Sequence, residues 1–282
     1  MVRTDRWVML LAALMAVLLV AAGCGKKEVV VPGVIGLGEI DVLLPCGQIG
    51  PFSEAVDLFE EQHPGVTVKT SPENIVTMTK KVLDGKAQPD VFLSMGDLEM
   101  DKLEAAGLLV PDTRVEYAEN ALAITVPADN PAGVKSLADL AKPEVKSISI
   151  PNPEQNAVGK HAKEALENAG LWEKVAGKVI LPQFAADGKA VVAEGKVEAS
   201  IGYYPCVVEV KVPGEQPMES ENMPKMVALV PADLYQPFGC EAAVIVGAKN
   251  PTGGRALIEF LQTPAVQEIY RKWKFAREPV DE

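Results

Sequence analysis

Hydrophobic and polar positions along this chain alternate between two periods. The run Ile40-Asp41-Val42-Leu43-Leu44, closed by Pro45, has the pattern of a buried strand. From residue 52 to 62 the apolar positions Phe52, Ala55, Val56, Leu58 and Phe59 recur at helical spacing. His63-Pro64-Gly65 ends that helix, because proline cannot continue it and glycine tolerates the turn. Val66-Thr67-Val68 predicts the next strand, residues 74–83 a helix stopped by Gly85, 89–94 a strand and 97–106 a helix. Strand and helix alternating at this spacing imply a parallel α/β sheet.

The alternation then restarts. Strands are predicted at 121–126, 147–150, 179–181 and 199–203, and helices at 136–140, 158–169 and 188–194. A last strand at 242–246 precedes helices at 252–261 and 264–273. The expected architecture is α/β with two lobes, each a mainly parallel sheet flanked by helices. Lobe 1 takes residues 39–120 and 238–278, and lobe 2, residues 121–237, is inserted into it. Ligands of such sheets bind beyond the carboxyl ends of the strands, here in an interlobe cleft that a hinge can close.

The first residues follow a different pattern. Arg3 and Arg6 precede an apolar run from Trp7 to Val20, then Ala21-Ala22-Gly23-Cys24. A run of this length is shorter than the ~20 residues of a spanning helix, and the order is that of an export signal. Small residues before a cysteine resemble the lipobox of bacterial lipoproteins. That resemblance implies removal of residues 1–23, lipidation of Cys24 and a tether over 24–38. The chain would then be exported and held by its lipid, at the outer face of the cytoplasmic membrane or in the periplasm.

Charge narrows the function. The whole chain carries −12, and residues 1–23 hold two arginines and one aspartate, so the remainder carries −13. An acidic surface argues against nucleic-acid binding, which needs a basic footprint. No Gly-rich Lys-Ser/Thr phosphate loop is present, so an ATPase would be a separate chain.

Several segments together resemble the periplasmic molybdate-binding proteins of ABC importers. They are residues 55–66 (AVDLFEEQHPGV), 89–94 (PDVFLS), 100–108 (MDKLEAAGL), 121–131 (ALAITVPADNP), 162–172 (AKEALENAGLW) and 250–275. The resemblance implies a type II two-lobed binding fold, a monomer that needs no cofactor, and delivery of a small ligand to an inner-membrane permease. Members of that family hold oxyanions with neutral donors, hydroxyls and backbone N–H groups. In the loops that match, this chain departs from that pattern. Leu44-Pro45-Cys46-Gly47-Gln48 follows the first strand, and Ser71-Pro72-Glu73-Asn74 carries a carboxylate that would oppose an anion. Tyr204-Pro205-Cys206 follows Tyr203, and Phe238-Gly239-Cys240-Glu241 precedes the last strand.

Three cysteines thus fall at expected cleft loops. Thiolates select soft ions, so Cys46, Cys206 and Cys240 are the expected ligands of a thiophilic metal or metalloid ion, arsenite-like or a soft cation. Secondary cleft contacts are expected from Gly47, Gln48, Glu73, Asn74, Asn156, Tyr203, Tyr204 and Glu241. Alternatives stay open: a disulfide such as Cys206–Cys240 or Cys46–Cys240, thiols buried as small apolar groups, or ordinary molybdate or tungstate binding that ignores the thiols. A ligand-presenting role toward a sensor kinase shares the same fold. An enzyme with a cysteine nucleophile would need a base beside it, and neither His63 nor His161 comes from a cleft loop. Met78, Met95 and Met100 read as core, Asp90 as support for a strand end and Asp41 as part of a sheet edge.

Overall fold

A computed structural model describes residues 37–182, 185–207 and 223–277. The signal segment, Cys24 and nearly all of the tether lie outside the described residues. In chain order the first elements are β1 (Glu39–Pro45), α1 (Ile49–Gln62), β2 (Thr67–Glu73), α2 (Ile75–Leu83), β3 (Val91–Ser94), α3 (Asp97–Ala105) and β4 (Val115–Glu119). Then come β5 (Leu122–Val126), β6 (Ile148–Ser149), α4 (Ala157–Asn168), β7 (Val179–Ile180), α5 (Ala185–Ala193), β8 (Ala199–Tyr203), α6 (Tyr204–Val207) and β9 (Lys225–Leu229). The chain returns through β10 (Gly239–Val244), α7 (Pro251–Leu261) and α8 (Pro264–Lys272).

The strands form two five-stranded sheets, ordered β2-β1-β3-β10-β4 and β7-β6-β8-β5-β9. Each has a parallel trio, β2-β1-β3 in one and β7-β6-β8 in the other. Beyond each trio the sheet turns antiparallel, through β10 in the first and β5 in the second. The sheets are therefore more mixed than the alternating pattern implies. The two strands it missed, β4 and β9, are sheet edges. Val115-Glu116-Tyr117-Ala118-Glu119 interleaves charge with apolar residues, a common way to blunt an edge, and so weakens the strand signal.

Local chemistry sets the helix starts. Asn74 caps α2 by accepting N–H bonds from Val76 and Thr77, and Asn156 caps α4 through Val158. Asn250 caps α7, whose first residue is Pro251. Buried Asp90 does what its place in the sequence suggests. One oxygen accepts the Asp41 N–H at 2.9 Å and the other the Asn250 N–H at 2.7 Å. It thereby ties the starts of β1 and β3 to the returning C-terminal segment.

Lobe 1 also contains a polar knot. Fully buried Gln48 donates to the Ser94 carbonyl at 2.7 Å. Its amide oxygen accepts from the Tyr117 hydroxyl and, at 3.1 Å, from the Tyr270 hydroxyl. The two tyrosine rings meet edge to face at 5.2 Å. Gln48 thus joins β3, β4 and α8, and it is committed to the lobe interior rather than to the cleft, contrary to the expectation from its loop. Gln48→Leu strands two buried hydroxyls and a carbonyl. Each such group costs ~1–3 kcal/mol when left unpaired, so denaturant unfolding is expected to show a loss of about 2–4 kcal/mol.

Candidate functional site

The carboxyl ends of β1, β2 and β3 and strand β8 meet at one cavity of about 510 Å³. Lobe 1 lines it with Cys46 and Gly47 after β1, Glu73 and Asn74 after β2, and Met95 after β3. Lobe 2 lines it with Lys189 of α5, Ser200 and Tyr203 of β8, and Cys206 of α6. This is where open α/β sheets place ligands, because loops at those ends are free of strand pairing.

One wall carries sulfur. A Cβ placed on Gly47 would lie 2.8 Å from Cys206 Sγ and 2.8 Å from Met95 Sδ, so those sulfurs are no more than twice that distance apart. Gly47 lets the β1–α1 loop reach them. Cys46 is exposed at the same mouth. Cys206 is half-buried as a residue, yet burial of its thiol pushes the pKa up to about 12, with Lys189 pulling the other way. Cys240 does not line the cavity, although its thiol is close enough to feel the charge of Cys206. It sits in β10, fully buried, where Tyr117 and Tyr270 feel its charge, and burial drives its thiol well above the ordinary value. All three are free thiols. Among the described residues, no group of three or more Cys, His, Asp or Glu is placed to hold a metal ion. The expected three-cysteine cage is corrected to a pair, Cys46 and Cys206, with Met95 beside it.

The opposite wall carries the Ser200 hydroxyl, with Ser149 buried behind α5 beside it. Ser149 of β6 and Ser200 of β8 are register partners, so their side chains share a sheet face. Gly188 in α5 rests on them, and a Cβ there would come within 2.8 Å of Ser200 Oγ and 3.4 Å of Ser149 Oγ. Ser149 Oγ is buried without a hydrogen-bond partner. Lys189, the next residue, reaches the cavity. The Ser200 hydroxyl and the Lys189 ammonium make an anion-favouring corner of the cavity, with the Ser149 hydroxyl buried beside Ser200 under α5.

The remaining expected contacts divide. Glu73 lines the cavity but is paired with Lys81 at 2.6 Å, which offsets its charge. Asn74 lines it while spending its side chain on the α2 cap. Tyr203 lines it with a buried hydroxyl that lacks a partner. Asn156 does not line it, being buried as the α4 cap, and Tyr204 packs beside β5, its N–H bonded to the Ala121 carbonyl. Glu241 does not line the cavity and pairs with Arg114 at 2.7 Å. The α4 N-terminus is also occupied, since the Ala157 N–H donates to Glu99 Oε1 at 3.3 Å. Both histidines are structural: His63 Nδ1 bonds the Phe59 carbonyl, and buried His161 lies between Asp97 and Glu164.

Sequence reasoning missed Ser149, Ser200, Lys189 and the cleft position of Met95. Gly188 opens the predicted 188–194 helix, and only the observed start at Ala185 puts it inside the helix, where it permits the close approach to the serines. These placements give an order of thiol reactivity. Native protein treated with an aromatic disulfide reagent at pH 7 should be labelled first at Cys46 and slowly at Cys206. Cys240 should react only after unfolding, as read by peptide mass. With its pKa near 12, Cys206 should alkylate about tenfold faster per unit of pH between 8 and 10.

Comparison with known proteins agrees with this geometry. A Bacillus subtilis protein, whose name places it among ABC transporter substrate-binding lipoproteins, is 24% identical over 95% of this chain and 97% of its own length. A molybdate-binding protein of Rhodobacter capsulatus is 25% identical over 86% of this chain and 89% of its own. The solved periplasmic molybdate-binding protein of Azotobacter vinelandii superposes with a TM-score of 0.66 at 18% identity, covering 85% of this chain and all of that one. The two-lobed binding-protein fold expected from the sequence is therefore observed. The family of bacterial extracellular solute-binding proteins matches residues 40–276, and the chain belongs to that family, a family of binding proteins rather than enzymes.

Proposed function

We propose that this protein captures a small oxyanion of the molybdate or tungstate kind outside the cytoplasm and delivers it to an ABC importer. The observation that carries this reading is the pairing of Ser200 and Lys189 in the cavity wall, with the unpartnered Ser149 hydroxyl buried next to Ser200. A tetrahedral anion needs several donors converging on a water-poor site, and the Ser200 hydroxyl plus one ammonium supply them without over-neutralising it. The Lys81 pairing removes the objection that Glu73 would repel an anion. Relatives named as molybdate-binding proteins support the ligand class, and the ABC-transporter name of another supports the partner. In this reading the lobes are residues 39–120 with 238–278, and 121–237. The ion enters the open cleft, the lobes close by a hinge, and the closed monomer docks on a permease served by a separate ATPase. Lipidated Cys24 holds the protein at the membrane, in keeping with the lipoprotein name of the Bacillus subtilis relative.

A second reading has its own observation. Cys46, Cys206 and Met95 present three sulfurs to the same cavity, a donor set suited to a soft monovalent cation or trivalent arsenic. Calorimetry and thermal shift on reduced protein with molybdate, tungstate, sulfate, arsenite and Cu(I) separate the two. The first reading expects molybdate or tungstate at a hundred times Kd to stabilise by ~2.7 kcal/mol. It expects Lys189→Ala or Ser200→Ala to weaken binding about 10–100-fold, and Cys46→Ser and Cys206→Ser to leave it unchanged. Binding of arsenite or Cu(I) that vanishes in Cys46→Ser and Cys206→Ser, with no response to oxyanions, would replace the first reading with the second.

A further inference from the structure

Beside the ligand cavity, α3 of lobe 1 meets the start of α4 of lobe 2 in a contact unlike the rest of the cleft. Asp97 pairs with Lys160 and, at 3.0 Å, with His161. Lys102 donates to the Glu154 carbonyl at 2.7 Å, and Glu99 accepts the Ala157 N–H at 3.3 Å. Gly96, at the N-terminus of α3, packs so closely that a Cβ there would collide with Ala157. Every one of these contacts crosses between the lobes, so separating the lobes must break them together. Three polar atoms at the junction have no partner: Glu99 Oε2, Asn156 Nδ2 and Tyr203 Oη. An ionised Glu99 in that place leaves one carboxylate oxygen buried and unpaired, and the neutral acid removes that cost.

We propose that this α3–α4 contact is a proton-linked clasp: Glu99 takes up a proton as the lobes close over it, and releases it as they part.

The groups around Glu99 fit that role. On its own helix stand Asp97 and Lys102. From α4 come the Ala157 N–H, Lys160 and His161, the last two engaged by Asp97. From β8 comes the Tyr203 hydroxyl, which feels the Glu99 charge. From the β4 and β10 side come Arg114 and Glu241, and Arg114 also reaches the Asp97 carbonyl. Burial pushes the Glu99 carboxyl from 4.5 up to about 7, against the downward pull of backbone N–H groups and Lys102. Burial pushes Asp97 up as well, but hydrogen bonds from His161 and Lys160 outweigh it and hold that carboxyl below its ordinary value. Asp97 therefore stays ionised through the range where Glu99 titrates.

The sign follows from linkage. When the lobes part, Glu99 meets water and regains its ordinary pKa of 4.5. The closed form then binds the extra proton between about pH 4.5 and 7. Closure is favoured fully below that window, and the advantage is lost as pH rises through 7. For one proton with these values, the closed-to-open ratio should rise about tenfold from pH 8 to pH 6.

The test needs no ligand. Spin labels on non-natural residues at exposed Glu61 and Lys174, one on each lobe, report the interlobe distance in the full-length protein by double electron–electron resonance. Wild type should gain closed population about tenfold, relative to open, between pH 8 and pH 6. Glu99→Gln, neutral at every pH and similar in shape, should keep one ratio across that range. Gly96→Ala, which wedges the contact apart without touching charge, should lower closure at both pH values. Asp97→Asn should lower closure while keeping the pH slope. A flat wild type overturns the proposal, and so does a Glu99→Gln variant with the wild-type slope. Because no oxyanion is added, failure here leaves the ligand reading standing, and failure of that reading leaves the clasp standing.

Discussion

Lobe 1 is built from two stretches of chain separated by the whole of lobe 2, and the carboxylate of Asp90 is where they are joined. It is buried and holds the amides of Asp41 and Asn250, partners 49 and 160 residues away. A buried carboxylate is stable only when its lone pairs are filled, so the requirement for those two N–H donors fixes where β1, β3 and the returning α7 begin. The positions of the strand ends, and so of the cleft loops, depend on that arrangement. A second anchor lies at the lobe crossing, where the buried Asn120 amide reaches the Met95 carbonyl and its N–H the Phe238 carbonyl. These bonds tie the strand leaving lobe 1 to the segment coming back.

The cleft built on this frame has two chemically different walls. Sulfur comes from lobe 1 and from the short α6 helix, while hydroxyl and ammonium donors come from β8 and α5. Burial keeps the Cys206 and Cys240 thiols protonated at neutral pH, which makes them poor nucleophiles and poor ligands until a metal displaces the proton. The hydroxyl wall has no such barrier. A serine hydroxyl and a lysine are ready to donate as they stand, and that difference in readiness favours the anion reading of the cavity.

The cavity and the α3–α4 contact adjoin at Tyr203 and at the Met95-Gly96 step but are built from different groups. The ligand cavity sits at the strand ends, whereas the charged contacts that hold the lobes together lie along α3 and α4. Glycine at position 96 is what allows the second region to form, since any side chain there meets Ala157 before the ion pairs can engage. Asp97, neutralised by Lys160 and His161, and Glu99, whose buried Oε2 has no partner, together make the contact sensitive to protons.

Much of the plan is legible in the chain itself. Periodicity marks the parallel strands and their helices, since a buried strand and an amphipathic helix each leave a local pattern of apolar positions. Asparagine caps and a helix-starting proline are equally local. Edge strand β4 escapes that reading because charged Glu116 and Glu119 interrupt its apolar positions, and β9 because its short half-buried run has no alternation of polar and apolar residues. The loops expected at the cleft do supply Cys46, Gly47, Glu73, Asn74, Tyr203 and Cys206, but which of their neighbours turn inward was beyond local reading. Gln48 and Cys46 share a loop, yet Gln48 is drawn inward because Tyr117 and Tyr270, brought by β4 and α8, meet it there. Cys240 shares its chemistry with Cys206 but belongs to a strand interior. Ser149 and Ser200 are 51 residues apart and become neighbours only through the parallel register of β6 and β8. The chain's local pattern determined the elements and their order; the pairing of distant strands, which no local period records, decided which polar side chains face the ligand.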